Sequence, residues 1–500
     1  MRIVVCVKQT AAGALNPFDA CAYEAALRIP EAEVILLSMG PQKVQEMLYA
    51  LTRLGARQAY LLCDKAFAGA DTLATAYTLM LAIRKLKPDL VICGRQTIDG
   101  DTAQTGPCLA GMLGFSLITN VMEIVDVGEN ICCRTRELQE QTVSCPALIA
   151  VERICHLRLP GIRSKAGEVI CWDAKDLEAD LSRCGQAGSP TKVLASFQNE
   201  EGKRRCRFVR MSELETLIAE GVQRECARVP GPGAFREKKL EDVWIIGEAP
   251  RQMAETISDT IRRIEPETVG NSYASALQFA RMVKAAKPEV ILWGSDAWSK
   301  RMAPQVAALL QTGLCADCTA LETDGKALFL YRPAFSGNVI AKIACTTSPQ
   351  MATVRTLNAD AADVILSLGK GAKDAVREAQ EYLEKQRERD FCRWELAASR
   401  GAVDAEMLPY EKQVGITGKS VNPAVYLAVG ISGAVHHIAG MKQAGTVIAV
   451  NPDKKAPIFE YADYGIVGTA EELFACLGQS SDPLQSVRCR PQKSETERKE

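Results

Sequence analysis

The sequence predicts an α/β protein: two related halves on parallel sheets, followed by a third α/β segment. Three observations predict it. Through residues 1–150, short apolar runs at Ile3–Val7, Val34–Leu37, Tyr60–Leu62 and Leu90–Cys93 alternate with helical patterns such as Lys43–Leu54 and Thr72–Leu86. That alternation calls for crossover helices and a parallel sheet. The stretch Lys87–Gly94, KPDLVICG, returns as Lys287–Gly294, KPEVILWG, 200 residues later. The helix pattern after it also returns, Pro107, Ala110 and Leu113 matching Pro304, Ala307 and Leu310; such a repeat marks two copies of one fold unit. Finally, Tyr426–Met441, YLAVGISGAVHHIAGM, reads as strand, glycine turn and helix.

Five hundred residues exceed what one core holds, so two or three domains are expected. A net charge of −1 with no basic block excludes nucleic acid as a partner. No apolar run reaches membrane-spanning length, so no membrane insertion is expected. The start, Met1–Lys8, reads as a strand and not as a signal peptide. The 19 cysteines sit mostly in apolar runs (Cys6, Cys63, Cys93, Cys345), where the thiol is a small buried hydrophobe. This points to a reducing, cytoplasmic setting. Cys315 and Cys318 form a lone C-x-x-C without a second pair, so no metal site is expected.

In chain order, the first candidate site follows the run Leu90–Cys93. The loop Gly94–Pro107, GRQTIDGDTAQTGP, carries glycines, Asp99, Asp101, Thr102, Gln104 and Thr105 at a strand end. It reads either as a nucleotide loop or as a solvated connection capped by Asp99 or Asp101. Val121–Val127 and Asn130–Leu138 read as a hairpin, and Ala147–Val151 as a strand. Leu157–Arg163, LRLPGIR, is a Pro-Gly turn between basic residues. It either presents Leu159 to a partner or tucks that leucine against its own domain; the residues alone favour the second. Arg228–Lys239, with Pro230-Gly231-Pro232-Gly233, reads as a linker. The α/β rhythm then resumes at Val243–Ile246, Tyr273–Ala286 and Val290–Trp293.

The second candidate site surrounds Tyr426–Met441. Gly430 and Gly433 let backbone approach a ligand, Ser432 adds a hydroxyl, and His436 and His437 are two of only three histidines. Before them lies Gln413–Lys419, QVGITGK; after them, Thr446–Val450 ends in Asn451-Pro452-Asp453, and Asp463 precedes Tyr464–Val467. Strand ends of this kind suit phosphate, ribose or ring edges. The glycine spacing is not the dinucleotide fingerprint, so the pattern alone leaves a plain strand–turn–helix open.

Taken together, these motifs resemble electron-transfer flavoproteins, with a β-subunit-like half followed by an α-subunit-like half. The first half matches through VCVKQ (5–9), NPFD (16–19), FAGADTLATA (67–76) and the loop 93–107; the second through GLCADCTAL (313–321), YRPAFSGNVIAKI (331–343), SRGAVD (399–404), QVGITGK (413–419), GISGAVHHIAGM (430–441) and APIFEYADYGIVG (456–468). The resemblance spans roughly residues 1–475. It implies two related Rossmann-like (adenine-nucleotide-hydrolase-like) parallel-sheet domains plus a C-terminal α/β FAD-binding domain. The expected divisions are 1–190, an arm and linker at 191–239, 240–365, an FAD-binding domain at 366–480 and a disordered tail at 481–500. The α-subunit-like half is expected to lack its first strand and helix.

The resemblance also implies site residues. Ser399 and a buried Arg400 sit near the isoalloxazine, Thr417 near flavin N5 and His437 near its C2 carbonyl. Gln413, Val414, Gly415, His436 and Lys370 line the same site, Gly430, Ser432 and Gly433 approach the pyrophosphate, and Asn451 and Asp463 take the adenosine side. Arg400, Thr417 and His437 tune the flavin. Ile416, His436 and Lys370 depart from the usual residues. A second nucleotide, FAD or AMP, is implied at Val7, Lys8, Gln9, Cys93, Gly94, Asp99, Asp101, Thr102, Gln104 and Thr105. The loop 94–107 looks like the branch that splits electrons from NADH through a second FAD, whereas the short Thr10–Asn16 segment argues for AMP. Leu159 is the implied partner anchor.

The implied function is a carrier that moves electrons through FAD. It links a dehydrogenase such as an acyl-CoA dehydrogenase to a ferredoxin, flavodoxin or quinone oxidoreductase. NADH-driven bifurcation is one elaboration. A one-FAD carrier with structural AMP and a non-redox nucleotide-binding interaction module are the alternatives.

Overall fold

The computed structural model describes residues 1–100, 102–136, 139–152, 155–198, 203–226, 240–268, 270–334, 339–354, 362–388, 392–415, 418–419 and 421–477. The expected linker over 228–239 and tail over 481–500 lie outside the described residues. The chain divides into two compact units, Met1–Gln198 with Ala234–Thr356, and Asn199–Gly233 with Leu357–Glu500. The arm expected at 191–239 is shared between them. Thr191–Gln198 pairs antiparallel with Val339–Cys345 in the first unit. Arg207–Phe208 pairs with Tyr464–Gly465 in the second, where Leu214, Ile218 and Val222 enter the core.

The first unit contains both copies of the repeat. Its nine-stranded sheet runs Glu140–Ser144, Asn130–Thr135, Ser116–Val127, Ala147–Val151, Leu90–Gly94, Arg2–Cys6, Glu33–Met39, Gln58–Leu62 and Glu168–Trp172. The strands from Ala147–Val151 to Glu168–Trp172 are all parallel. The inner ones are largely apolar on both faces because helices cover both, whereas the edge strand Glu168–Trp172 is mixed. The chain leaves Arg2–Cys6 in one direction and returns to Leu90–Gly94 on the other side. The carboxyl ends of these two neighbours therefore form a topological switch point, where open α/β sheets bind ligands.

The second copy forms a five-stranded parallel sheet, ordered Ile261–Ile264, Val243–Ile246, Val290–Trp293, Gln350–Val354 and Leu314–Cys318. The repeat extends to its caps. Asp71 and Asn271 accept from Ala74 N and Ala274 N at 3.0 and 2.9 Å, and Lys87 and Lys287 end their helices in left-handed conformation. The half does not lack its first strand. Val243–Ile246 holds the place beside Val290–Trp293 that Arg2–Cys6 holds beside Leu90–Gly94. The shortage lies one strand–helix step further out, where the surviving helix, Arg251–Ala254, has four residues. The repeat-related helices Thr105–Leu113 and Ala297–Leu310 pack together so closely that a Cβ on Gly111 would lie 3.0 Å from Gln305 Cα. Cys315 and Cys318 are buried in the core under this second sheet.

The second unit is a six-stranded parallel sheet in the order Arg207–Phe208, Tyr464–Val467, Thr446–Asn451, Val425–Val429, Val364–Leu368 and Trp394–Ala398. The chain passes from Val364–Leu368 outward to Trp394–Ala398 and returns to Val425–Val429 on the other side. Its switch point lies at Gly369 and Gly430. No helix among the described residues is long and apolar enough to cross a membrane.

Candidate functional site

Most of the residues singled out around Tyr426–Met441 converge on the switch point of the second unit. Gly369 N donates to Val429 O at 2.8 Å and Gly371 N to Gly430 O at 3.2 Å, so the loops leaving two neighbouring strands cross backbone on backbone. A Cβ on Gly369 would lie 2.0 Å from Gly430 O. Ser399 N donates to Leu368 O, and its hydroxyl caps the short helix Arg400–Val403. Val414 N donates to Ala398 O at 2.8 Å, which brings the loop of Gln413, Val414 and Gly415 to the same edge. A Cβ on Gly415 would lie 2.8 Å from His436 O, so that loop also meets the helix Val435–Met441. Gln413 and Val414 are buried, while Ser432, His436 and Lys370 face outward. Thr417, expected near flavin N5, and Ile416 lie outside the described residues.

Two expectations need correction. Arg400 is half-buried, its side chain 30% exposed and its Nε 3.2 Å from Asp404 Oδ2. It opens a short helix that buries Ala402 and not Arg400, and the carboxylate one turn on takes up its charge. Asp463 does not join the site. It precedes its strand, at the amino edge of the sheet, where it accepts from Val447 N at 2.8 Å and pairs with Arg204. The carboxyl end of that strand carries Gly468 and Thr469 instead, with Gly468 N donating to Asn451 O at 3.3 Å. Asn451 is at the site's edge, its Nδ2 donating to Ile431 O at 3.0 Å and its Oδ1 accepting from Asp453 N at 2.9 Å.

His437 is the polar centre of this site and is 5% exposed. Its Nε2 lies 3.0 Å from the Tyr426 hydroxyl, and its buried Nδ1 makes no hydrogen bond of standard geometry. Burial pushes its pKa down to about 4, with the Val414 backbone acting weakly the other way. The imidazole is therefore neutral at physiological pH. A buried, partly unsatisfied histidine beside glycine loops at a switch point fits the polar edge of an aromatic cofactor such as FAD. Ser399, Arg400, Gln413–Gly415, Gly430–Gly433, His437 and Lys370 are the residues that would hold it.

The second cluster lies at the switch point of the nine-stranded sheet. Lys8 Nζ is 2.8 Å from Asp99 Oδ1. Burial raises the Asp99 pKa, but the Lys8 ammonium more than offsets it and leaves the carboxyl below its ordinary range. Val7 and Cys93 are buried, and Gln9 Nε2 donates to Gly13 O at 3.0 Å. Gln104 is buried with an unsatisfied Nε2, Thr102 lies just before it, and Thr105 opens the following helix. Asp101 lies outside the described residues. Two residues here were not read from sequence. Arg332 Nη2 donates to Gly100 O at 2.9 Å, so the second copy of the repeat supports the first copy's loop. Asp19 accepts from Lys8 N at 2.8 Å and from Gly94 N at 3.2 Å. The NPFD motif was the available signal for Asp19.

Leu159 is not tucked away: it is 89% exposed and Ile162 is fully exposed. The turn is held from its base. Arg158 donates to Glu24 through its backbone N, Nε and Nη2 at 3.1, 3.0 and 2.9 Å. That guanidinium keeps the Glu24 carboxyl well below the usual range.

The family model described as the electron transfer flavoprotein domain matches residues 3–176 and 245–382, and the electron transfer flavoprotein FAD-binding domain matches 358–442. The α subunit of the electron transfer flavoprotein of Thermoanaerobacterium thermosaccharolyticum is 40% identical over 251 residues, 41% of this chain and 74% of that protein. The β subunit from the same organism is 41% identical over 195 residues, 36% of this chain and 75% of that protein. The caffeyl-CoA reductase-Etf complex subunit CarD of Acetobacterium woodii is 37% identical over 229 residues, 39% of this chain and 87% of that protein. With both repeat copies matched by one domain model and the FAD-binding domain following, the chain belongs to the electron transfer flavoprotein family as a fused β–α chain.

Proposed function

We propose that this chain carries electrons through FAD in its second unit. It takes them from, or gives them to, a flavin dehydrogenase acting on acyl-CoA-type substrates, and it exchanges them with a second redox protein. The observation that carries the reading is a buried, neutral His437, held by Tyr426, beside the crossing loops of Gly369 and Gly430. Bound FAD would supply one- and two-electron exchange. The chain's part is to hold and tune it. His437 is fixed by Tyr426, and the guanidinium of Arg400 favours a more negative, reduced flavin. A relative named for a caffeyl-CoA reductase complex supports the class of partner. Acid release of nucleotide from the purified chain tests the reading. FAD that cycles reversibly with dithionite is expected; a colourless chain, or flavin that does not cycle, favours a non-redox interaction module.

A second adenine nucleotide, AMP or FAD, is proposed for the Lys8–Asp99 site of the first unit. Two FAD per chain with flavin bleached by NADH alone is the result expected of bifurcation. One FAD with one AMP and no response to NADH is expected of a one-flavin carrier. Ferredoxin, flavodoxin or a quinone oxidoreductase is the acceptor class in either case.

Two further outcomes follow. Arg400→Ala is expected to lower the flavin midpoint potential by roughly tens of millivolts, because a positive charge is lost from a partly screened position. A spectroscopic redox titration reads this directly, and an unchanged potential removes Arg400 from the tuning role. Leu159→Ala is expected to slow reduction by the dehydrogenase at least tenfold without altering the flavin spectrum, as truncation of a central apolar anchor does. Equal transfer rates for both proteins would remove Leu159 from the docking role.

A further inference from the structure

At the switch point of the nine-stranded sheet, the backbones leaving Arg2–Cys6 and Leu90–Gly94 diverge, and nothing in the parallel ladder ties them beyond Cys6 and Cys93. Two side chains of the NPFD motif close that gap. Asn16 N donates to Lys8 O at 2.9 Å, and Asn16 Nδ2 donates to Gln96 O at 2.9 Å. Asp19, on the first turn of the helix Pro17–Leu27, accepts from Lys8 N through one carboxylate oxygen and from Gly94 N through the other. A Cβ on Gly94 would lie 2.4 Å from that second oxygen, so glycine is required for the approach. Both Asn16 and Asp19 are buried. The residues they fix, Lys8 and Gly94, are the ones that frame the loop reaching Asp99.

We infer that Asp19 is a positioning residue for the second adenine-nucleotide site: its ionised carboxylate spans the switch point and holds the Lys8 and Gly94 backbones at the spacing a nucleotide needs. The inference rests on the second-site reading above. An ionised carboxylate accepts from both N–H groups; a protonated one presents a donor at one oxygen and releases one strand end. The groups facing Asp19 are the Lys8 ammonium, the Asn16 amide, and the Cys6 and Cys93 thiols. Burial, opposed by Asn16, the two backbone donors and Lys8, puts the Asp19 pKa at about 7. Burial also pushes the thiols upward, so they stay neutral, and Asp99 titrates below its ordinary range. The carboxylate that sets the loop is therefore the one that titrates near neutral pH.

The full purified chain is dialysed against nucleotide-free buffer at pH 8 and pH 6, and AMP and FAD are counted after acid release. At pH 8 the parent chain is expected to begin with two adenine nucleotides. It should lose the second about tenfold faster at pH 6, following the ionised fraction of Asp19. Asp19→Asn, whose amide offers a donor at one end, should lose it at least tenfold faster than the parent at pH 8, with the same rate at both pH values and with FAD retained in the second unit. An Asp19→Asn chain with the parent's rate, or a parent rate unchanged between pH 8 and 6, overturns the positioning role. If the variant does not fold, the parent's pH series decides alone. A parent chain that begins with one nucleotide overturns the second-site reading, and the role of Asp19 with it.

Discussion

Gly433→Ala is expected to cost the second unit roughly 3–5 kcal/mol, enough to empty its FAD site at moderate urea. Two effects add. Gly433 has φ +94°, which an L side chain rarely adopts. A Cβ there would also lie 2.2 Å from Ile458 N and 2.7 Å from Pro457 C, both backbone atoms. Neither can give way cheaply, because Ile458 N is bonded to Ser432 O at 3.1 Å, so the two loops are tied where the methyl would enter. With a urea dependence of roughly 2 kcal/mol per molar, the unfolding midpoint should fall by about 2 M. Flavin fluorescence on release would report it in the intact chain. Gly401→Ala is the control. It lies next to Arg400 at the same site, but its Cβ would meet nothing nearer than Lys370 Cβ at 3.8 Å. Its midpoint should stay close to the parent's. A Gly433→Ala midpoint equal to the control's would show that the loops move apart easily.

The glycines show how far residue types alone can be read. Gly430 and Gly433 were legible as turn residues between a strand and a helix, and the strand and helix are there. Their need for glycine is set by their own chain, since the space a Cβ would take is filled by Gly371, Ala372 and Ile458 backbone. That contact joins segments distant in sequence, which local pattern does not report. Asp463 failed for another reason. Its adenosine-side role came from the resemblance, whereas a residue that precedes a parallel strand stands at the amino edge of the sheet, away from the carboxyl-end crevice. The parallel strands of the first copy were legible because they are apolar throughout. Strands such as Glu168–Trp172 and Val339–Cys345 were not, because they lie at an edge or in an antiparallel sheet and mix Glu168 or Lys342 with apolar residues. Asp19 entered only as a letter of the NPFD motif, and an acid in a helix's first turn needs no further explanation locally. Its partners lie 11 and 75 residues away. The 200-residue repeat needed no such reach: two copies of one local pattern suffice, and both carry the same caps.

His437 should make the second unit sensitive to acid in a defined window. An unfolded chain binds a proton at the ordinary histidine value of 6.5; the folded chain, with the ring buried, does so only near 4. Between those values the unfolded state holds the extra proton. Stability is therefore fully retained above about pH 6.5, falls progressively as pH drops through the window, and by pH 4 has lost on the order of 3 kcal/mol from this group. Other carboxyls titrate in the same range, so the test is a difference. His437→Gln stays neutral throughout. At pH 7.5 it should be about 1–2 kcal/mol less stable than the parent, because the Tyr426 hydroxyl loses its buried partner. As pH falls the two curves should converge, and by about pH 4.5 the variant should be the more stable. Urea midpoints across this range measure the crossing. Parallel curves would mean that His437 takes up its proton in the folded chain, which requires an acceptor at Nδ1. In that case the proton would also be available to a bound cofactor, and the flavin potential of the parent, but not of the variant, should shift with pH over the same window.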